Sequence, residues 1–155
     1  EAQFNMVRLG IGLYGINTIE NNTEELDNVA SLRSVISQIR MVKKGSSVSY
    51  NRSFIAENDI KVGIVSIGYA DGLIRSLGNN RASLLVNGKN APIIGDICMD
   101  MCVIDLTNID AKEGDDVIIF SKEHPIEKLA ESANTIPYEI LSRISRRVKR
   151  VYYHE

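Results

Sequence analysis

Ser83-Leu84-Leu85-Val86-Asn87-Gly88-Lys89-Asn90-Ala91-Pro92-Ile93-Ile94-Gly95-Asp96-Ile97-Cys98 is the stretch on which the fold class turns. Asn87-Gly88 is the dipeptide best suited to a type I′ hairpin, in which both central residues need positive φ. The runs on either side, Ser83 to Val86 and Pro92 to Cys98, are therefore read as antiparallel neighbours. Short β-branched runs recur upstream at Val35 to Val42 and Lys61 to Ile67, and downstream at Cys102 to Leu106 and Val117 to Phe120. Lys44-Gly45-Ser46 and Gly114-Asp115 mark further turns. Helical spacing enters only near the end. Ile126, Leu129, Ala130 and Ala133 fit one face behind Pro125, an allowed first-turn proline, and a second helix is expected from Pro137. Val148 to Tyr153 reads as a last strand. About six or seven strands and two short C-terminal helices describe a mainly β fold, a small antiparallel barrel, closed or partly closed.

The chain has 155 residues, 44% of them hydrophobic and 25% charged, the proportions of an ordinary soluble globular domain. Folded chains of this length bury roughly 70% of the surface they expose when unfolded, enough for one substantial core. A net charge of -2 provides no global reason to bind nucleic acid or anionic lipid. Arg143, Arg146, Arg147, Lys149 and Arg150 nevertheless crowd the C-terminus. They either solvate the last helix and strand, since helix C-termini favour cations, or neutralise phosphates. No apolar run approaches the roughly 20 residues of a membrane helix. The first residues lack the basic and apolar regions of a signal peptide, and the missing initiator Met suggests a piece of a longer protein.

The two cysteines, Cys98 and Cys102, have neither a second pair nor a nearby histidine to complete a zinc site. In an extended strand they would stand about 13 Å apart, too far for a disulfide, so both are expected to be buried thiols. The cytoplasm is then the default compartment. No nucleophile elbow, phosphate-binding loop or H-E-x-x-H motif is present, and His124 and His154 lack partners at ligand spacing. Tyrosine is the unusual resource, beside turn-forming residues in Leu13-Tyr14-Gly15, Ser49-Tyr50-Asn51 and Gly68-Tyr69-Ala70-Asp71-Gly72. A free tyrosine, with a pKa of about 10, is a poor base at neutral pH and needs a cation or hydrogen-bond donor nearby. Arg8 and Arg52 are candidates. The competing reading makes these tyrosines amphipathic packing residues whose hydroxyls reach water.

Five segments taken in order shift that balance: Val7-Arg8-Leu9-Gly10-Ile11-Gly12-Leu13-Tyr14-Gly15, Val48-Ser49-Tyr50, Gly68-Tyr69-Ala70-Asp71-Gly72, Gly95-Asp96-Ile97-Cys98-Met99-Asp100-Met101 and Tyr138-Glu139. Together they resemble the pyridoxal-phosphate-dependent alanine racemase family, over essentially the whole chain. The resemblance implies an N-terminal (β/α)8 barrel holding the cofactor on a lysine, and a C-terminal β domain that completes the active site of the partner subunit in a homodimer. Residues 1–29 would be a remnant of the last strand and helix region of that barrel plus a linker over Asn17 to Asn28, and residues 30–155 the C-terminal β domain. A strand shorn of its barrel is expected to be an aggregation-prone edge or a disordered arm.

The same resemblance implies roles. Tyr50 would be the catalytic base on the L-alanine face, opposite the absent lysine on the D face; two bases on opposite faces explain racemisation, because the proton leaves one side and returns on the other. Arg8 would face the pyridine nitrogen, where a permanent cation keeps the ring a weaker electron sink. Gly10 and Ile11 would supply backbone donors to the cofactor phosphate, which the Tyr138 hydroxyl also reaches. The Met99 amide would meet the substrate carboxylate, and Tyr69 and Asp100 would line the narrow approach to the site. Asn51 departs from the family's usual glycine, but asparagine tolerates a left-handed backbone nearly as well. The implied function is interconversion of L- and D-alanine for peptidoglycan in the bacterial cytoplasm, with the isolated chain inactive. Two other readings stand beside it, a small β-barrel module using Arg143 to Arg150 on RNA and a structural dimerisation domain.

Overall fold

The structure is a computed structural model that describes residues 5–17 and 26–153. Its strands are β1 (Leu32–Val42), β2 (Ser47–Val48), β3 (Phe54–Ile55), β4 (Ile60–Val65), β5 (Ser83–Val86), β6 (Lys89–Ile94), β7 (Cys102–Asp105) and β8 (Asp116–Phe120); its helices are α1 (Ile126–Ser132) and α2 (Pro137–Arg143). Six strands close a barrel in the order β1-β4-β7-β6-β5-β8, every pairing antiparallel. Closure rests on the length of β1, whose start pairs with β8 and whose remainder pairs with β4. Its register shifts between Leu32 and Arg33 and between Ile36 and Gln38, and such bulges bend a strand enough to turn a barrel wall.

The β5–β6 hairpin turns on Asn87 and Gly88, whose φ values of 49° and 74° are the positive pair a type I′ turn requires. The Asn87 side chain also donates to the Asp110 carbonyl and the Asp115 carboxylate, tying this turn to the loop before β8. Strand residues alternate inward: Leu84, Val86, Ala91, Ile93, Ile104, Val117 and Ile119 are at most 1% exposed and fill the barrel. Burying each large apolar side chain of this kind contributes roughly 1.5–3 kcal/mol.

The helices start where their prolines set φ. α1 buries Ile126, Leu129 and Ala130 against the core and packs on β8 and α2, and it ends in Asn134 at φ 54°, whose N–H returns to the Glu131 carbonyl. α2 takes Pro137 in its first turn and buries Ile140.

Several expectations change. The run read from Pro92 to Cys98 ends as a strand at Ile94, because Gly95 takes a φ of 67° and breaks the ladder. Val148 to Tyr153 is not a strand; Tyr152 and Tyr153 are each 84% exposed, and the closed ladder has no edge left for them to join. Cys98 and Cys102 do not lie along one extended strand, since Cys98 N–H donates to the Met101 carbonyl across a turn. Both are free thiols: Cys98 is half-buried, while burial, reinforced by nearby Cys98, pushes the Cys102 thiol up to about 12. The opening segment forms a single 3-10 turn over Ile11–Tyr14, and Ile11 and Ile16, each 3% exposed, join the main core. The linker read over Asn17 to Asn28 lies mostly at 18–25, outside the described residues.

Candidate active site

Strand directions bring the candidate residues to one rim. β4 ends and β7 begins there, as the Val65–Cys102 pairing shows, and β6 ends beside the start of β5. The loops 66–82 and 95–101 therefore share this rim, with Tyr69 on the first and Met99 and Asp100 on the second. Gly68 makes their contact possible: Tyr69 N–H donates to the Cys98 carbonyl and Ala70 N–H to the Met99 carbonyl, both at 3.0 Å. A Cβ on residue 68 would lie 2.3 Å from the Met99 oxygen. Asp71 closes the first loop by accepting from Gly68 N–H at 2.9 Å.

Tyr50 reaches the same rim by a longer route. β1 ends at the opposite rim, so the connection 43–59 starts there. Its two-stranded piece, β2 with β3, lies along the outer wall, where Val48 and Phe54 pack on a second small core of Ala56, Ile60, Val62 and Ile94. This arm carries Tyr50 back beside loop 95–101, where Ser49 Oγ donates to the Asp96 carbonyl at 2.7 Å and Asp96 N–H donates to Ser53 Oγ at 3.1 Å. The tyrosine side chain points outward, 66% exposed. Asn51 takes φ 55° and ψ 18°, the left-handed backbone that asparagine tolerates. Among the described residues neither Arg8 nor Arg52 hydrogen-bonds Tyr50.

A second group assembles around α2. Ile11 N–H donates to the Tyr138 hydroxyl at 2.7 Å across 127 residues of sequence, and a Cβ on Gly10 would sit 2.3 Å from that hydroxyl. Gly10, Ile11 and Tyr138 thus converge, whereas Arg8 is exposed on the preceding coil. Glu139, the next residue, accepts from Thr135 and Arg143, and these two donors hold its carboxyl below the usual carboxylate range. Between this helix and loop 66–82 lies an open cleft of about 450 Å³ lined by Tyr69, Gly72, Leu73, Arg75 and Arg143.

One charge organises the rim. Arg147 reaches the Asp71 carboxylate at 2.7 Å and the Asp100 carboxylate at 2.5 Å, so it ties both loops to the C-terminal segment. Those two hydrogen bonds, Asp71's first, raise its pKa further above an already high value. Of the terminal cations, Arg143 is engaged with Glu139, Arg147 with the two aspartates, and Arg150 with the carbonyls of Ile144, Ser145 and Val148.

The description of the alanine racemase C-terminal domain matches residues 29–152. The chain belongs to the alanine racemase family. It is 45% identical over 156 residues to the alanine racemase of Helicobacter pylori (strain P12), a match covering 96% of this chain and 41% of that protein. To the alanine racemase of Aquifex aeolicus (strain VF5) it is 38% identical over 145 residues, covering 94% of this chain and 43% of that protein. The chain spans about two fifths of the length of the curated relatives it matches. Among solved structures, alanine racemase from Bartonella henselae with covalently bound pyridoxal phosphate superposes with a TM-score of 0.88 at 36% identity, covering 93% of this chain and 40% of that one. Alanine racemase of Clostridium difficile 630 in complex with cycloserine gives 0.85 at 38% identity, covering 93% of this chain and 39% of that one. The mainly β barrel with two helices is thus the racemase C-terminal architecture.

Within this alanine racemase domain, sequence reading gave no role to the side chains of Ser49, Ser53, Arg75 or Asp96, and took Arg147 only as one of the basic residues crowding the C-terminus. Arg147 lies 76 residues from Asp71 and 47 from Asp100. No local spacing marks a partner so distant, and a basic run reads equally well as a solvated surface.

Proposed function

We propose that this chain is the C-terminal domain, residues 30–155, of an alanine racemase that interconverts L- and D-alanine for peptidoglycan in the bacterial cytoplasm, with residues 1–29 a remnant of its N-terminal barrel. Tyr50 is the base on the L face and is delivered to the site of the partner subunit in a homodimer. The observation that carries this reading is the presentation of Tyr50: an outward-pointing tyrosine on a braced turn, at the same rim as Tyr69, Met99 and Asp100. The two hydrogen bonds are made by the flanking Ser49 and Ser53, which fix the turn to the neighbouring loop and leave the tyrosine side chain outward, where it packs on nothing of its own domain's core.

The Gly10, Ile11 and Tyr138 group fits the phosphate end of pyridoxal phosphate. A backbone amide and a hydroxyl converge there, in space that a side chain on residue 10 would fill. When bound, that cofactor supplies the electron sink that makes the α-proton of an amino acid removable. The backbone N–H groups of Gly10 and Ile11 and the Tyr138 hydroxyl would hold the phosphate once the bond between Ile11 N–H and that hydroxyl opens to admit it, and Arg8 would lie toward the pyridine nitrogen. Met99 offers its backbone amide to the substrate carboxylate, Tyr69 and Asp100 narrow the approach, and the Tyr50 hydroxyl takes or returns the α-proton. The lysine on the opposite face lies in the barrel, so the 155-residue chain alone is inactive. The commitment of Arg143, Arg147 and Arg150 to internal partners weighs against the RNA-binding alternative.

Racemisation by the full-length protein and its Tyr50→Phe variant, followed from both enantiomers, tests the reading. An active parent and a variant that binds cofactor but loses most turnover are expected. Parental rates in the variant would refute the role of Tyr50, and a parent inactive on alanine would refute the substrate.

A further inference from the structure

Ser49, the residue before the exposed tyrosine, has φ 67° and ψ -177°, a region of backbone space essentially reserved for glycine. Asn51 and Arg52 follow at φ 55° and 54°. A non-glycine residue stays in such a conformation only where its surroundings over-determine it. Here they do. Ser49 Oγ donates to the Asp96 carbonyl at 2.7 Å, Asp96 N–H donates to Ser53 Oγ at 3.1 Å, and Ser53 N–H closes the turn on the Tyr50 carbonyl at 3.0 Å. Asp96 is fixed in turn, its carboxylate held by Arg75 at 3.0 Å and Asn79 at 2.9 Å. Gly95 leaves the space, since a Cβ there would lie 2.6 Å from the Ser49 Cβ.

We propose that Ser49 is a positioning residue for Tyr50: its hydroxyl, clamped on the Asp96 carbonyl, holds the strained backbone that aims the tyrosine ring. This rests on Tyr50 being the L-face base. Release of Ser49 to an ordinary negative φ rotates everything beyond it about its N–Cα bond, and Tyr50 is the first side chain to swing. The Tyr50 hydroxyl makes no hydrogen bond among the described residues, so its direction is set from the backbone end. Asp96 contributes through main-chain atoms, and Arg75 and Asn79 keep that main chain in place.

The test uses the full-length enzyme loaded with cofactor and three variants, Ser49→Gly, Ser49→Ala and Tyr50→Phe. Glycine adopts the Ser49 dihedrals freely but lacks the hydroxyl, so Ser49→Gly is expected to fold and melt close to the parent. Its kcat is expected to fall about tenfold or more with KM little changed, because a misplacement of 1 Å can cost about a hundredfold. Ser49→Ala is expected to lose as much turnover and to melt lower than Ser49→Gly, since it keeps the strain without the clamp. The distinguishing readout is the primary isotope effect with α-deuterated substrate. Slowing only the tyrosine step raises the effect on L-alanine and lowers it on D-alanine, a divergence that general loosening of the fold does not produce. Parental kcat and isotope effects in Ser49→Gly, with Tyr50→Phe inactive, overturn the positioning role alone. Parental activity in Tyr50→Phe overturns the reading beneath it.

Discussion

Replacing Gly68 with alanine tests how tightly loops 66–82 and 95–101 meet. The added Cβ would lie 2.3 Å from the Met99 oxygen and 2.4 Å from the Cys98 oxygen, and neither atom is the free end of a flexible side chain. Backbone must move by about 0.7 Å to restore the closest tolerated separation of 3.0 Å. Those same oxygens accept from Tyr69 and Ala70 N–H, so parting the loops stretches both hydrogen bonds. Losing two bonds costs about 2 kcal/mol net, and overpacking adds roughly 1–3 kcal/mol. With Tm shifting by roughly 2–4 °C per kcal/mol in chains of this size, Gly68→Ala is expected to melt at least roughly 6 °C below the parent. Thermal and urea unfolding followed by circular dichroism measure it. Gly12→Ala is the control, because the nearest atom to its added Cβ is a Leu26 methyl at 4.0 Å; it should change stability by less than about 0.5 kcal/mol. Equal melting of both variants and the parent would refute the reasoning.

His124 is 6% exposed and bonds through Nε2 to the Ser83 carbonyl; burial is the main cause that lowers its pKa below the ordinary 6.5. The unfolded chain therefore binds the proton more readily, so stability is full above about pH 6.5 and declines as pH falls through that value. Urea midpoints compared at pH 7 and pH 5.5 should drop in the parent and stay flat in His124→Gln; equal slopes would discard the assignment. The Cys102 thiol, fully buried and pushed up to about 12, should resist alkylation in the native chain at pH 8 while half-buried Cys98 reacts. Both cysteines fall in the tryptic peptide 90–112, so fragment-ion mass spectrometry of that peptide tells the two apart, and modification of both at equal rates would contradict the packing around β7.

Much of the barrel is legible in particular residues. Asn87-Gly88 names its turn type, Pro125 and Pro137 start the two helices, and β-branched runs mark the wall. The arm formed by β2 and β3 is not legible, because strands of two residues each are too short to show alternation. Val148 to Tyr153 misleads for the opposite reason. Valine and tyrosine favour strands, but that preference is realised only against a neighbouring strand, and closure of β1 on β8 removes the candidate. At the site, Tyr50 and Tyr69 stand out beside their turn-forming neighbours, but the roles of these two, like those of Met99 and Tyr138, come only through family resemblance, since an isolated tyrosine carries no chemical signature. The supports of the rim are harder still. The bonds from Ser49 to Asp96 and from Arg147 to Asp71 span 47 and 76 residues and exist only once the strands have aligned their loops.

A wall with six strands joined all the way round offers no unpaired backbone for another chain to extend. Open strand edges remain only on the two-residue strands β2 and β3 among the described residues, so recognition by the six-stranded wall depends on side chains and loop backbone at its rim. The wall and the rim answer to different demands. Substitutions inside the wall are judged by volume and shape, whereas loops 43–59, 66–82 and 95–101 are free to diverge as far as their mutual bonds allow. A lineage can retune what the rim grips while the frame beneath it stays the same.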